Sequence, residues 1–192
     1  MMLCPHGGVL WYNIGMDADK LKDAYWEMRF GLRRSYFYHE KRVLFWRTLL
    51  FFTHGVEAAL TSTAAAFIFC DGSRTVTQWA VLLSAILSFV VVWFNADRRI
   101  AANMAKKAAF AALEDKIPID EDDYTPEGLE ELRRARRDIE SDDDVCLPCV
   151  DALARNDACR AFGLPEDRKL SLYERWVGRL LPIPYREKQR GS

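Results

Sequence analysis

The sequence contains none of the short motifs by which the common enzyme classes are recognised. It has no G-x-S-x-G, no P-loop, no H-E-x-x-H and no dinucleotide-binding fingerprint. It also shows no strand pattern and no internal repeat. The formal net charge of −1 is not typical of a nucleic-acid binder. We therefore expect an all-α, non-enzymatic protein that needs no cofactor and binds no nucleic acid.

A secretory signal is missing as well, because the first 20 residues contain neither a basic segment nor an uninterrupted apolar run. The five cysteines are an odd number, which in an unsecreted chain favours reduced thiols in a cytosolic setting. Cys146 and Cys149 form a C-x-x-C, and Cys159 is a weak third candidate for a zinc ligand. Ordinary, zinc-binding and redox cysteines all remain open. The ordinary interpretation is favoured, because no histidine follows and no strand–helix unit surrounds the pair.

Formal charge is absent from residues 76–94 and nearly absent from residues 48–70. As a helix, the earlier block would rise roughly 35 Å, slightly more than the hydrocarbon core of a bilayer. Trp79 and Trp93 lie near the ends of the later block, where aromatic rings favour a membrane interface. The two blocks are joined by only five residues, so we expect a two-helix transmembrane hairpin with antiparallel spans at about 48–70 and 76–94.

Basic residues flank the two blocks, and the turn between them contains only Arg74. The flanking set is Arg29, Arg33, Arg34, Lys41, Arg42, Arg47, Arg98, Arg99, Lys106 and Lys107. The positive-inside bias therefore places both chain termini in the cytoplasm, and membrane lipid becomes an expected partner. A helix buried in a soluble core is the alternative, but it does not explain two such blocks with aromatic ends and basic flanks.

The hairpin is expected to continue into long cytoplasmic helices. We predict an irregular segment at 1–16, the hairpin with its helical extensions at 17–117, and a cytoplasmic helical region at 118–192. The first helix begins near residue 18 and the second runs unbroken over about 76–117. The last region contains a helix capped by Thr125, a helix from Pro148 to Phe162 closed by Gly163, and a final helix that begins with a Ser171–Glu174 capping box. The basic run "RRARR" at 133–137 lies between acidic segments and predicts a solvated face with i,i+4 ion pairs.

Glu57 falls near the middle of the first predicted span, where an acid costs about 2.5–3.5 kcal/mol by insertion scales. Helical spacing places it on a polar stripe with Arg47, His54 and Thr61. Intramembrane acids of this kind face another helix or water, not lipid. Two interpretations stay open: Glu57 lines an ion path, or it pairs with His54 or with Ser84 and Ser88 to hold the helices together.

A second stripe on the same helix consists of small residues, which allow helices to approach closely in a membrane. Its members are Gly55, Ala58, Ala59, Ser62, Ala65 and Ala66. A polar stripe beside a small-residue stripe suits a homo-oligomer around a polar centre, because one hairpin would shield Glu57 poorly.

Three stretches occur in an order that resembles a known family. They are "YFYHEKRVLFWRTLLFFTHGVEAALTSTAAAFIF", "WFNADRRIAANMAKKAAFAALEDKI" and "LEELRRARRDIESDD", and a "DACRAFG" helix follows them. Over about residues 25–163 this layout resembles the SMODS and SLOG-associating two-transmembrane effector domains, called SLATT. The resemblance implies a pore-forming effector of a bacterial conflict system in the inner membrane, switched by a nucleotide-signalling partner protein. The alternative is a membrane-anchored assembly protein of phage or prophage origin that recruits partners through its cytoplasmic helices.

Overall fold

The computed structural model describes residues 18–69, 73–141 and 146–166, together with positions 170, 171, 174 and 178. Across these residues the protein is all-helical and contains no strand, so the expected all-α class is confirmed for this part. The elements are α1 (Ala18–Phe69), α2 (Arg74–Phe94), α3 (Ala96–Glu114), a single 3₁₀ turn (Glu121–Asp123), α4 (Pro126–Glu140) and α5 (Pro148–Ala161). The predicted irregular N-terminus and most of the predicted final helix lie outside the described residues.

The first helix is continuous over 52 residues, as predicted from its unbroken helical periodicity. The second predicted helix is interrupted, so the expectation of one unbroken helix over 76–117 is wrong at one residue. Asn95 has φ 52° and ψ 44°, and its backbone N–H donates to the carbonyl of Val92 (3.1 Å). Asparagine enters this left-handed region more readily than most residues, so it ends α2 and α3 begins at the next residue.

Capping signals in the sequence are confirmed at three helix ends. The hydroxyl of Thr125 accepts the backbone N–H of Gly128 (3.1 Å) at the start of α4. Gly163 follows α5 with φ +69°, the conformation that glycine favours at a helix end. Ser171 and Glu174 form the reciprocal capping box, because each side chain accepts the backbone N–H of the other residue.

The chain divides into two units, of which unit 1 contains residues up to 41 and from 105 onward. Its apolar core is built from α1, α3, α4 and the segment after α3. The buried members are Tyr25, Met28, Leu32, Phe110, Leu113, Ile117, Leu129 and Leu132. Leu32 and Phe110 are completely inaccessible to solvent. Tyr25, Met28 and Leu32 recur at spacings of three and four, so one face of α1 contributes to this core.

Ion pairs connect the helices of unit 1 around that core. Arg33 bonds Glu114 of α3 (2.7 Å), and Arg34 binds the carboxylate of Asp151 in α5 through two nitrogens. Lys107 bonds Glu40 (2.6 Å), and this hydrogen bond raises the pKa of the Lys107 ammonium. These pairs hold the helices in one register.

The basic run of α4 is neutralised by neighbouring acids, as its sequence predicts. Arg136 bonds Glu140 four residues later (2.8 Å), and Arg137 bonds Glu130 (3.1 Å). The guanidinium of Arg136 also lies against α1 at Gly31, where an added Cβ would be 2.6 Å from its Nη1 atom. The glycine in the middle of α1 thus makes room for a side chain of α4.

Unit 2 contains residues 42–104, which are the end of α1, all of α2 and the start of α3. Trp46 contacts Phe94 (6.2 Å between ring centroids) and Glu57 contacts Ser88, so later residues of α1 meet earlier residues of α2. The two helices are therefore antiparallel, as expected from their short connection. Both helices are long and apolar enough to cross a membrane.

The surface of unit 2 is unusually apolar. In the most apolar stretches of the two long helices, only 17% and 12% of the residues are buried. Large side chains such as Phe51, Val92 and Trp93 are about three-quarters exposed. A core helix of a soluble protein would be mostly buried, so these helices do not have the burial of a soluble core.

Candidate functional site

The described geometry brings Glu57 into contact with both helices of the hairpin. The hydroxyl of Ser88 in α2 donates to Glu57 Oε1 (2.5 Å), and it also lies 3.1 Å from the carbonyl of Ser84. Nδ1 of His54 is 3.6 Å from Glu57 Oε2. The Glu57 side chain nevertheless remains 29% exposed, because the two helices cover only part of the carboxyl group.

The other members of the predicted polar stripe lie elsewhere on the helix surface. His54 is 64% exposed on its side chain, and Arg47 and Thr61 are exposed as well. Arg47 contacts Met104 Sδ (3.3 Å), and Thr61 donates to the backbone carbonyl of Glu57 (2.8 Å). Arg47, His54 and Thr61 follow one another at intervals of seven positions, and residues at this interval form a nearly straight row along a helix. The predicted polar stripe therefore consists of an exposed row, Arg47, His54 and Thr61, and of the less exposed Glu57, which lies on the side of the row that faces α2.

The inward face of α1 in unit 2 is displaced by one residue from the predicted stripe. Thr53, and not His54, is buried, and its hydroxyl donates to the carbonyl of Leu49 (2.8 Å). Trp46 and Ala64 are also buried on this face, and Ala80 is buried in α2. Sequence reasoning missed Trp46, Thr53 and Ala80, whereas Ala64 lies seven positions after Glu57 on the predicted polar stripe. Helical spacing alone does not separate Thr53 from His54, because either residue continues a face at spacings of three and four.

The predicted small-residue stripe does not pack within the hairpin. Its members Gly55, Ala58, Ala59, Ser62, Ala65 and Ala66 are exposed, and a Cβ added at Gly55 would meet nothing within 4 Å. The serines predicted on α2, Ser84 and Ser88, are partly buried, and Ser88 bonds Glu57. Close packing through the small residues therefore stays a prediction about contacts between chains.

The three described cysteines of unit 1, Cys146, Cys149 and Cys159, form no disulfide among themselves. Among the described residues, no group of three or more His, Cys, Asp or Glu side chains is placed to hold a metal ion. Burial raises the pKa of the Cys149 thiol, and the negative charge of Glu174 raises it further. An added Cβ at the buried Gly178 would overlap Cys149, so the thiol is tightly enclosed.

We expect Cys149 to resist alkylation in the folded protein. Iodoacetamide attacks the thiolate, and a raised pKa together with burial keeps Cys149 protonated and enclosed at pH 8. Cys146 is only partly buried and should react first. Mass spectrometry of timed digests measures both rates, with denatured protein as the control in which the cysteines react alike. Equal rates in the folded protein would contradict the enclosure of Cys149.

Comparisons of the chain with known family models, with curated proteins and with solved structures found no match.

Proposed function

We propose that this protein is a homo-oligomeric pore or channel of the bacterial inner membrane, gated through its cytoplasmic helices, and that it performs no catalysis. We further propose that it is a SLATT-type effector of an anti-phage or conflict system. The observation that carries the pore proposal is the exposed polar row of Arg47, His54 and Thr61, with the partly exposed Glu57 beside it, on an otherwise apolar hairpin.

Membrane insertion is supported by the exposed apolar surface of unit 2. Lipid tails are the solvent that tolerates exposed phenylalanine, valine and tryptophan on two adjacent long helices. The arginines at 42, 47, 98 and 99 lie outside the predicted spans, next to the span ends that are far from the connecting turn. This charge distribution supports a topology in which both termini are in the cytoplasm.

Oligomerisation is supported by the polar side chains that a single hairpin leaves exposed. The side chain of His54 is 64% exposed and that of Glu57 is 29% exposed, and neither is tolerated against lipid at low cost. The exposed small residues beside them allow a second copy to approach closely. Several copies would turn these polar side chains toward a shared centre and away from lipid.

Gating through unit 1 is supported by the continuity of α1. The same helix contributes Leu32 to the core of unit 1 and Glu57 to the predicted span. A nucleotide-signalling partner that bound one arrangement of unit 1 more tightly would shift the equilibrium between closed and open states.

A second function is favoured by one observation. Ser88 donates to Glu57 within a single chain, which is what a structural bond between helices requires. Under this alternative the protein is a membrane-anchored assembly protein of phage or prophage origin, and unit 1 recruits partners without forming a channel.

Ion flux separates the two functions. We expect purified protein reconstituted in liposomes to release a trapped monovalent cation, because its polar row would line a water path. Empty liposomes, and liposomes with heat-inactivated protein, are the controls. Inserted protein that stays ion-tight, with its oligomeric state verified by cross-linking, would refute the pore and favour the anchor.

A further inference from the structure

Two buried hydrogen-bond donors of α1 have no acceptor among the residues that the structure describes. Arg42 is 8% exposed, and its Nε atom is buried without a hydrogen-bond partner. Trp46 is 6% exposed, and its indole Nε1 is likewise buried without a hydrogen-bond partner. No ion pair of Arg42 is present in the described part of the chain either. An arginine that is more than nine-tenths buried without an acidic partner is rare, because desolvating a charge is costly unless the charge is paired.

The two donors are adjacent on the helix surface. Residues four positions apart on a helix are neighbours, separated by about 5–6 Å between their Cβ atoms. Both side chains therefore leave the same face of α1, which is the placement that a single anion with several acceptor oxygens requires. A guanidinium and an indole N–H both donate and neither accepts, so the missing group must be an acceptor, and an anion compensates the charge as well.

The surroundings of Trp46 add positive charge. The guanidinium of Arg99 lies over the Trp46 ring, 5.3 Å from its centroid, and its Nε also donates to the Phe94 carbonyl (3.1 Å). Within residues 42–47 and 95–104 there are four arginines and one acid, Asp97. The field at this end of unit 2 is thus positive, which favours a negatively charged ligand.

We propose that Arg42 and Trp46 bind a phosphate group, and that this phosphate belongs to the head group of an anionic phospholipid. The predicted span begins at about residue 48, so both donors lie within two turns of the expected lipid head-group level. The cytoplasmic leaflet is rich in anionic lipids, and basic residues next to a span attract them. The lipid assignment rests on the membrane location proposed above, but it does not depend on the protein being a pore.

The site is tested by lipid binding to the full chain in detergent. Thermal stabilisation is measured during titration with phosphatidylglycerol, with zwitterionic phosphatidylcholine or with inorganic phosphate. The variants are Arg42→Gln, which removes the charge, and Trp46→Phe, which removes the N–H and leaves a smaller aromatic ring. The matched control is Arg98→Gln, because Arg98 is an exposed arginine of the same unit.

We expect wild-type protein to prefer phosphatidylglycerol over phosphatidylcholine by about tenfold or more, and Arg42→Gln to abolish this preference, because a charge-assisted hydrogen bond is lost. Trp46→Phe should weaken phosphatidylglycerol binding by about two- to tenfold, since it removes one neutral donor. Arg98→Gln should bind as the wild type does. Because Trp46→Phe leaves an aromatic, apolar side chain at a buried position, it tests the site where Arg42→Gln fails to fold.

Three results would overturn the proposal. A phosphatidylglycerol preference that survives both Arg42→Gln and Trp46→Phe excludes these donors. Equal losses in Arg98→Gln would show a diffuse charge effect without a site. Stabilisation by inorganic phosphate as strong as that by phosphatidylglycerol, and lost in Arg42→Gln, would replace the lipid by free phosphate. An ion-tight protein that still binds phosphatidylglycerol through Arg42 would refute the pore and leave this site standing.

Discussion

Replacing Glu57 by glutamine is expected to lower cation flux through reconstituted protein by about tenfold or more, a change of about 1.4 kcal/mol. A carboxylate beside a water path attracts a cation 4 Å away by about 4 kcal/mol at an effective dielectric constant of 20. Glutamine removes that attraction but keeps the size of the side chain. Its carbonyl oxygen still accepts from Ser88, so the contact between α1 and α2 is retained.

The companion variant for this measurement is Ser88→Ala, which breaks the bond between the helices but keeps the acid. It removes the donor to Glu57 Oε1 and leaves the acid in place. Under the pore proposal Ser88→Ala conducts nearly as the wild type does, whereas Glu57→Gln does not. Asp97→Asn, which neutralises an exposed acid of the same unit outside the spans, controls for net charge.

The reverse pattern would refute a lining role for Glu57. If Glu57→Gln leaves flux and oligomer formation unchanged while Ser88→Ala lowers thermal stability, the acid serves only as a bond between helices. Flux is measured from liposomes that contain equal amounts of inserted protein, and oligomer formation is measured by cross-linking in the same preparation.

Replacing Leu32 by alanine is expected to lower the free energy of unfolding of unit 1 by about 2–5 kcal/mol. Leu32 has no exposed surface and lies in the core built from α1, α3 and α4. The substitution removes buried apolar atoms and leaves a cavity, because the neighbours Met28, Phe110 and Leu129 are themselves held in place. The loss is a large share of the roughly 5–15 kcal/mol by which whole domains are stable.

The matched control is Ile119→Ala, which also truncates a branched aliphatic side chain. Ile119 is 92% exposed, so its loss should change stability by less than about 0.5 kcal/mol. Unfolding of the full chain in detergent is followed by far-ultraviolet circular dichroism during urea titration. A Leu32→Ala midpoint equal to that of Ile119→Ala would contradict the described core.

Helix boundaries were the part of the fold that local signals predicted well. Thr125, Gly163 and the Ser171–Glu174 pair act through hydrogen bonds or backbone preferences within a few residues, so their sequence context was sufficient. Asn95 was missed because asparagine is compatible with both a helix and its left-handed end. The conformation of Asn95 depends on whether the helix continues through the next turn. The alanine-rich sequence after Asn95 favoured a continuous helix.

The candidate site was predicted only in part. Glu57 was found because an acid within an apolar block is visible in the sequence alone. His54 and Thr53 differ by one position, which turns a side chain by about 100° around the helix. Only the location of α2 determines which of the two is buried. Arg42 resembles every other basic residue of the flanks, and nothing in its local sequence marks it as buried.

The amino-acid sequence by itself determined the helical class and the two segments able to cross a membrane, because periodicity, apolar length and charge placement are properties of neighbouring residues. Only the tertiary structure decided that Glu57 meets Ser88, that Arg47, His54 and Thr61 are exposed, and that the Arg42 and Trp46 donors are both buried. Burial and pairing depend on which faces of the helices meet, and that is settled by packing the whole chain.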